Sequence, residues 1–185
     1  MAKKRPKQAK GSKPPALSKM SEEAMMLEIL AHLDFQMSST PEENIFIELF
    51  NENGFDCIPF KDNLFLAAHP DGFALMIEHN EGSPVISINM PLILQPKVTM
   101  LKKLKWANQQ MSEFPVVRFV VNDTGVIIAR VDYIYESGIH SEYLFELVAL
   151  LNSVVKKIYE TDTQGVLDKD AYQVLQMEDI DDDDD

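Results

Sequence analysis

The chain has 185 residues and a net charge of −13 at pH 7, from 17 Lys and Arg against 30 Asp and Glu. Its 45% hydrophobic residues can form a core, and no apolar run approaches the roughly 18–20 residues of a membrane-spanning helix. Cys57 is the single cysteine, which excludes an internal disulfide, so we expect a cytoplasmic protein.

The charge is unevenly distributed along the sequence. Residues 1–20 are basic and rich in proline, and they predict a disordered arm. The rest of the chain is acidic and would repel phosphates, so we expect no nucleic-acid interface on the folded domain. The basic arm alone could touch nucleic acid non-specifically, but a solvated tail is the interpretation that we favour.

Residues 21–39 predict an amphipathic helix followed by a linker. Ser21 can cap the helix, and apolar side chains then recur at helical spacing on one face as far as Leu33. The stripe includes Met25, Met26, Ile29 and Leu30. Because methionine adapts to irregular surfaces, this stripe is a candidate partner-binding surface. Packing of the stripe on the domain is an equally good interpretation.

Residues 40–160 predict one α+β domain. Thr40 and Glu43 form a capping box at the start of a helix that ends near Gly54. A weak strand, 55–60, is interrupted by Pro59. Three stronger strands separated by turn residues then predict an antiparallel meander, at 64–68, 73–78 and 85–90.

A helix over 97–112 follows, with a predicted buried face that aligns Leu101, Leu104 and Asn108. Two strand-like runs, 116–121 and 126–132, flank a short polar loop that ends in Gly125, which indicates a β-hairpin. Val120 and Ile128 are its predicted core residues.

A last helix begins at Ser141, and its apolar face is broader than a small sheet requires, which predicts a homodimer. The residues beside its main stripe are Phe145, Ala149, Leu150 and Val154. Residues 161–185 predict an acidic and mostly disordered tail with one marginal helix near 172–177. The predicted fold is therefore α+β, with an antiparallel sheet (a three-strand meander plus a hairpin) packed against helices.

The domain also resembles a known family, YbjN, which is labelled as bacterial sensory-transduction regulators. The similar stretches are Leu104-Lys105-Trp106-Ala107-Asn108, Val117-Arg118-Phe119-Val120-Val121, Asp123-Thr124-Gly125-Val126-Ile127, Arg130-Val131-Asp132 and Gly138-Ile139-His140-Ser141-Glu142-Tyr143-Leu144. The resemblance implies a fold similar to that of type III secretion chaperones. It also implies a binding module, because the family has no established enzymatic activity.

Three charged residues interrupt otherwise apolar strands. Arg130 and Asp132 share a face by period two, and Arg118 lies on the preceding strand. They are either a solvent face with salt bridges, which we favour, or a polar partner surface.

Other chemically active side chains are dispersed. Cys57 has no CxxC partner, and we interpret it as an inert thiol. His69 and His79 could approach each other across adjacent strands, but no short-spaced ligand motif accompanies them, so we expect neither metal nor cofactor. The sequence therefore predicts a non-enzymatic protein-binding module, chaperone-like or a regulatory adaptor, with an unidentified protein partner. The alternative is a small-ligand-responsive sensory domain.

Overall fold

The computed structural model describes residues 45–61, 63–79, 82–136 and 138–177. Six strands form one antiparallel sheet in the order β1-β2-β3-β4-β6-β5. The strands are β1 (Asp56–Lys61), β2 (Leu64–His69), β3 (Phe73–His79), β4 (Val85–Pro91), β5 (Arg118–Val121) and β6 (Ile127–Ile134). The helices are α1 (Ile45–Glu52), α2 (Met100–Glu113), α3 (Ser141–Thr161) and α4 (Lys169–Met177).

The predicted α+β class is confirmed, and the meander gains a fourth strand. The weak segment at 55–60 forms β1, which among the described strands lies at the edge of the sheet and pairs with β2 alone. Pro59 lacks a backbone N–H, and an edge strand tolerates this loss because one side of the strand needs no partner. The register shifts between Pro59 and Lys61, so the proline sits beside an irregularity.

The hairpin between β5 and β6 closes as its sequence predicts. Gly125 has a φ of 84°, a conformation that favours glycine. Its amide donates to the Asn122 carbonyl at 2.9 Å, and the Asn122 side chain accepts from the Val126 amide at 2.8 Å. This loop fixes the register of the two strands, with Val120 opposite Ile128.

The main core lies between one face of the sheet and the described helices. It combines Phe46 and Phe50 of α1, Trp106 of α2 and an apolar stripe of α3 with the inward side chains of the strands. The helix stripe consists of Leu144, Leu147, Val148, Leu151, Val155 and Ile158. Of the broader apolar face predicted for α3, Val154 is buried and Phe145 packs on the core, whereas Ala149 and Leu150 are exposed.

Two predictions about core residues are wrong. On α2 the buried residues are Trp106, Ala107 and Gln110, while Leu101, Leu104 and Asn108 are exposed. Two stripes of this helix carry large apolar side chains, and the indole of Trp106, which packs edge-to-face on Phe119, determines which one faces the sheet.

Val120 is also not a core residue, because 43% of it is exposed. Phe119 and Ile127 occupy the core face of the hairpin instead. By period two, Val120 shares its face with Arg118, so the charge marked this set of positions as the outward one and Phe119 as the inward residue.

The chain beyond α3 packs on the domain. The sequence predicts a mostly disordered tail from residue 161, but Val166 and Leu167 are fully buried, and Leu167 forms a β-bridge with Leu94. Asp162 holds this turn, because its carboxylate accepts from the amides of Val166 and Leu167 at 2.8 and 2.9 Å. The same carboxylate also accepts from the Gln164 amide at 3.0 Å and from the Trp106 indole N–H at 3.3 Å, and the contacts of one short side chain leave little signal in composition. Residues 178–185 lie outside the described residues.

Candidate functional site

The face of the sheet opposite the described helices, here called the distal face, brings the three predicted charged residues together. Register places Ser87 of β4 opposite Asp132 of β6, and Arg118 of β5 opposite Arg130 of β6. Because side chains alternate along a strand, Arg130 and Asp132 point to the same side. The interpretation of these charges as a face carrying salt bridges agrees with the structure.

Asp132 is the centre of this charged cluster, which we define as Ser87, Arg118, Arg130 and Asp132. Its Oδ1 accepts from the Ser87 hydroxyl at 2.9 Å and from Arg130 Nε at 2.8 Å. Its Oδ2 lies 3.1 Å from Arg118 Nη1. Arg130 Nη2 also donates to the Ser87 hydroxyl oxygen, which closes a ring of polar contacts. The arrangement fixes Arg130, while Arg118 remains 69% exposed at its side chain.

Opposing effects act on the pKa of Asp132. Burial raises the pKa, but hydrogen bonds from Arg130 and Ser87 and the charges of Arg130 and Arg118 lower it by more, so the pKa lies below its usual range. The carboxylate is therefore ionised at neutral pH. Because this carboxylate is ionised and both of its oxygens already have partners, it is suited to a structural role and not to proton donation.

An apolar groove of about 340 Å³ adjoins the charged cluster. Leu64, Met76, Val120 and Ile128 supply its apolar lining, and Asn63, Glu78, Asn89 and Arg130 supply its polar lining. Asn89 is buried in the groove, where its amide donates to the carbonyls of Met76 and Ser87 at 3.2 Å each.

The groove continues into an apolar patch, here called the distal patch, of Phe60, Leu64, Leu66 and Met76 with Ile128 packed against them. Ser87 and Asn89 were not predicted as site residues. Their signal was present in β4, where polar residues alternate with Ile86 and Ile88. The sequence does not show that β4 pairs with β6, so it could not connect these polar residues to Arg130 and Asp132.

The remaining candidates do not converge. His69 and His79 lie at opposite ends of the β2–β3 pair, because His69 pairs with the first residue of β3 and His79 is its last. His79 Nε2 lies 2.6 Å from the Tyr135 hydroxyl, and Tyr135 donates in turn to the Ser83 carbonyl. Among the residues that the structure describes, no group of three His, Cys, Asp or Glu could hold a metal ion.

Cys57 is half-buried on β1, and burial, together with the nearby charge of Asp56, raises its pKa to about 11. The thiol is therefore protonated at neutral pH and a poor nucleophile. Met25, Met26, Ile29 and Leu30, the candidate partner-binding stripe, lie outside the described residues.

A second concave region of about 640 Å³ lies where α2 and α4 begin. Lys97, Lys102 and Lys169 line it together with Asp170. Lys97 adopts a φ of 72°, which is uncommon for a residue with a side chain. The sequence gave no sign of this cavity, because its lysines come from segments that only the Leu94–Leu167 bridge brings together.

These features define an α+β protein whose six-stranded antiparallel sheet carries its described helices on one face and a charged cluster with an apolar groove on the other. None of the helices in the described ranges is long and apolar enough to cross a membrane. No protein-family model matches the sequence, and no curated protein matches it either.

The fold is similar to that in the crystal structure of YbjN from E. coli, described there as a candidate transcription regulator. The similarity has a TM-score of 0.52 at 11% identity, and it covers 66% of this chain and 92% of the YbjN chain. The predicted YbjN-like fold is thereby confirmed.

Proposed function

We propose that this protein is a non-enzymatic binding module of the regulatory or adaptor type, and that its distal face binds a segment of a protein partner. The observation that carries the proposal is the position of the charged cluster at the border of the apolar groove. A groove with apolar walls and a few fixed polar groups has the composition of a recognition site.

The charges of the cluster indicate what kind of segment fits. Two guanidinium groups share one carboxylate, Asp132, so the cluster keeps one positive charge, while Glu78 places a negative charge on another part of the groove wall. Arg118 is largely exposed and retains donors for a partner. We therefore expect a partner segment that places apolar side chains in the groove and an acidic side chain at Arg118 and Arg130.

Two further observations support a binding role. The raised pKa of Cys57 keeps its thiol protonated, which disfavours nucleophilic catalysis. The similar YbjN structure is described as that of a candidate transcription regulator, which favours a regulatory role over a metabolic one.

The test is affinity capture from native lysate with matched surface variants. Val120→Asp places a charge in the groove, and Leu150→Asp does the same at an exposed position of α3. Quantitative mass spectrometry should find a partner that the wild type and Leu150→Asp retain and that Val120→Asp loses at least tenfold. Melting curves of the two variants should match. Equal retention by both variants would exclude the distal face as the binding surface.

A small anionic ligand is the second candidate, and the cavity at the starts of α2 and α4 favours it. Three lysines and two helix N-termini place positive potential around this cavity. Inorganic phosphate, used as the probe, should raise the Tm of the wild type and not that of Lys102→Gln. If millimolar phosphate shifts neither Tm, the cavity has no anion-binding role.

A further inference from the structure

The outward side of α2 combines exposed apolar side chains with lysines. Met100, Leu101 and Leu104 are 41%, 63% and 44% exposed, although each is a large apolar residue. Lys102 and Lys105 are exposed beside them. These five residues are here called the α2 surface. A helix that packs on a sheet through one side usually presents polar residues to water on the other, so grouped apolar residues at these positions indicate a binding surface.

The packing of α2 determines which of these side chains protrudes most. Trp106 and Ala107 are buried and mark the side of the helix that faces the sheet. At about 100° per residue, Leu101 lies on the opposite side, so it forms the summit of a convex ridge. Lys103 ties this ridge to the hairpin loop, because its Nζ donates to the Gly125 carbonyl at 2.6 Å. The ridge is therefore held in place on the domain.

The charge of this region is opposite to that of the whole chain. Residues 95–112 contain four lysines and no acidic residue, within a chain of net charge −13. Among the residues that the structure describes, neither Lys102 nor Lys105 has an ion-pair partner. Salt screens charges beyond roughly 8 Å, so the acidic remainder of the protein cancels little of this local positive charge. The surface therefore suits an anionic partner that also accepts apolar side chains.

We propose that the α2 surface docks on an anionic phospholipid bilayer. Leu101 and Leu104 enter the boundary between headgroups and acyl chains. Lys102 and Lys105 contact the phosphate groups, while the stems of these side chains stay near the apolar region. The α2 surface and the distal face lie on opposite sides of the sheet, so the docking does not depend on the proposed partner segment.

Size and shape favour a bilayer over a protein partner. Three side chains that are 41%, 63% and 44% exposed offer far less than the about 800 Å² per partner that a stable protein–protein interface buries. A convex ridge would also require a matching groove on a protein, whereas lipids rearrange around an inserted side chain. Each inserted apolar group and each lysine near the headgroups adds to the affinity, so a small surface suffices for reversible docking.

The cavity at the starts of α2 and α4 adjoins the α2 surface, because Lys102 belongs to both. A lipid phosphate is thus one source for the anion of the second candidate function, but the docking requires only the exposed ridge. The two proposals separate at Lys105, which does not line the cavity. Lys105→Gln should weaken docking on vesicles and leave unchanged any Tm shift that inorganic phosphate causes.

The test is flotation of the full chain with unilamellar vesicles in a density gradient. One set of vesicles contains phosphatidylcholine alone, and the other contains phosphatidylcholine and phosphatidylglycerol in equal parts. The wild type should float with the mixed vesicles only, and its bound fraction should fall as the salt concentration rises. Val120→Asp, on the distal face, should float like the wild type.

Matched variants separate the apolar and the charged contributions. Leu101→Asp should lower the apparent affinity for the mixed vesicles about tenfold, whereas Leu150→Asp, at an exposed position of α3, should not change it. Lys105→Gln should lower the affinity about fivefold, and Lys156→Gln, also exposed on α3, should have no effect. Melting curves of these four variants should match that of the wild type.

Several outcomes would overturn the proposal. They are no flotation, equal flotation with both sets of vesicles, and equal losses for Leu101→Asp and Leu150→Asp. A Tm shift with inorganic phosphate but no flotation would overturn the docking and leave the second candidate function intact. Capture of an acidic protein through Leu101, again without flotation, would assign the α2 surface to a protein partner instead.

Discussion

Leu167→Ala tests whether the segment after α3 belongs to the core. Leu167 is 2% exposed and forms a β-bridge with Leu94. Its truncation removes buried methyl groups, and the backbone hydrogen bonds of the bridge limit how far the neighbouring residues can move to fill the cavity. Such a change costs about 2–4 kcal/mol of unfolding free energy. For a chain of this size we expect the Tm to fall by about 5–15 °C.

Urea unfolding followed by tryptophan fluorescence is the suitable assay. Trp106 is the only tryptophan, it is fully buried, and its indole N–H donates to Asp162 at 3.3 Å, next to the segment under test. The matched control is Leu150→Ala, at a partly exposed position of α3, with an expected loss of about 0.5 kcal/mol. Equal midpoints for the two variants would show that the C-terminal segment does not contribute to the core.

Three further predictions follow from the sheet. Phe119→Ala should cost about 3–5 kcal/mol in urea unfolding, whereas Val120→Ala, on the exposed side, should cost less than about 1 kcal/mol; similar losses would contradict the strand phase. Because the pKa of Asp132 is lowered on folding, its stabilisation is complete above its unfolded pKa of about 3.9 and is lost as pH falls through the folded pKa. The stability difference between the wild type and Asp132→Asn should therefore begin to shrink below about pH 4, and a difference that stays constant as the pH falls from 5 to 2 would refute this. Iodoacetamide should alkylate Cys57 far more slowly at pH 8 in the native state than in urea, since its native pKa is about 11.

The elements with strong local signals were predictable from the sequence. The Asn122–Gly125 loop determines the hairpin by its own hydrogen bonds, and α3 shows an uninterrupted apolar stripe. The C-terminal segment was not predictable in the same way. Val166 and Leu167 are two apolar residues in a polar stretch, and they are buried only because Asp162 turns the chain back toward Ile93 and Leu94.

The candidate site was half predictable. Arg118, Arg130 and Asp132 were recognisable as charges within strands, and period two placed two of them together. Their partner Ser87 is 45 residues from Asp132 in sequence, so the pairing depends on which strand inserts beside β4. The prediction of which face of α2 is buried was wrong for a related reason. This helix carries two apolar stripes, and only the position of the hairpin decides which of them faces the sheet.

The order of the strands also has a consequence for how the chain folds. Each strand from β1 to β4 pairs with its neighbour in sequence, and β5 pairs with β6, so most of the sheet can form through short loops. The pairing of β4 with β6 is the exception, since it closes a loop that contains α2 and β5, and loop closure costs entropy that grows with length. We expect two hairpin-based units to form early and this junction to set the folding rate. Substitutions along the β4–β6 seam should then slow folding, whereas substitutions on β1, at the far edge, should mainly speed unfolding.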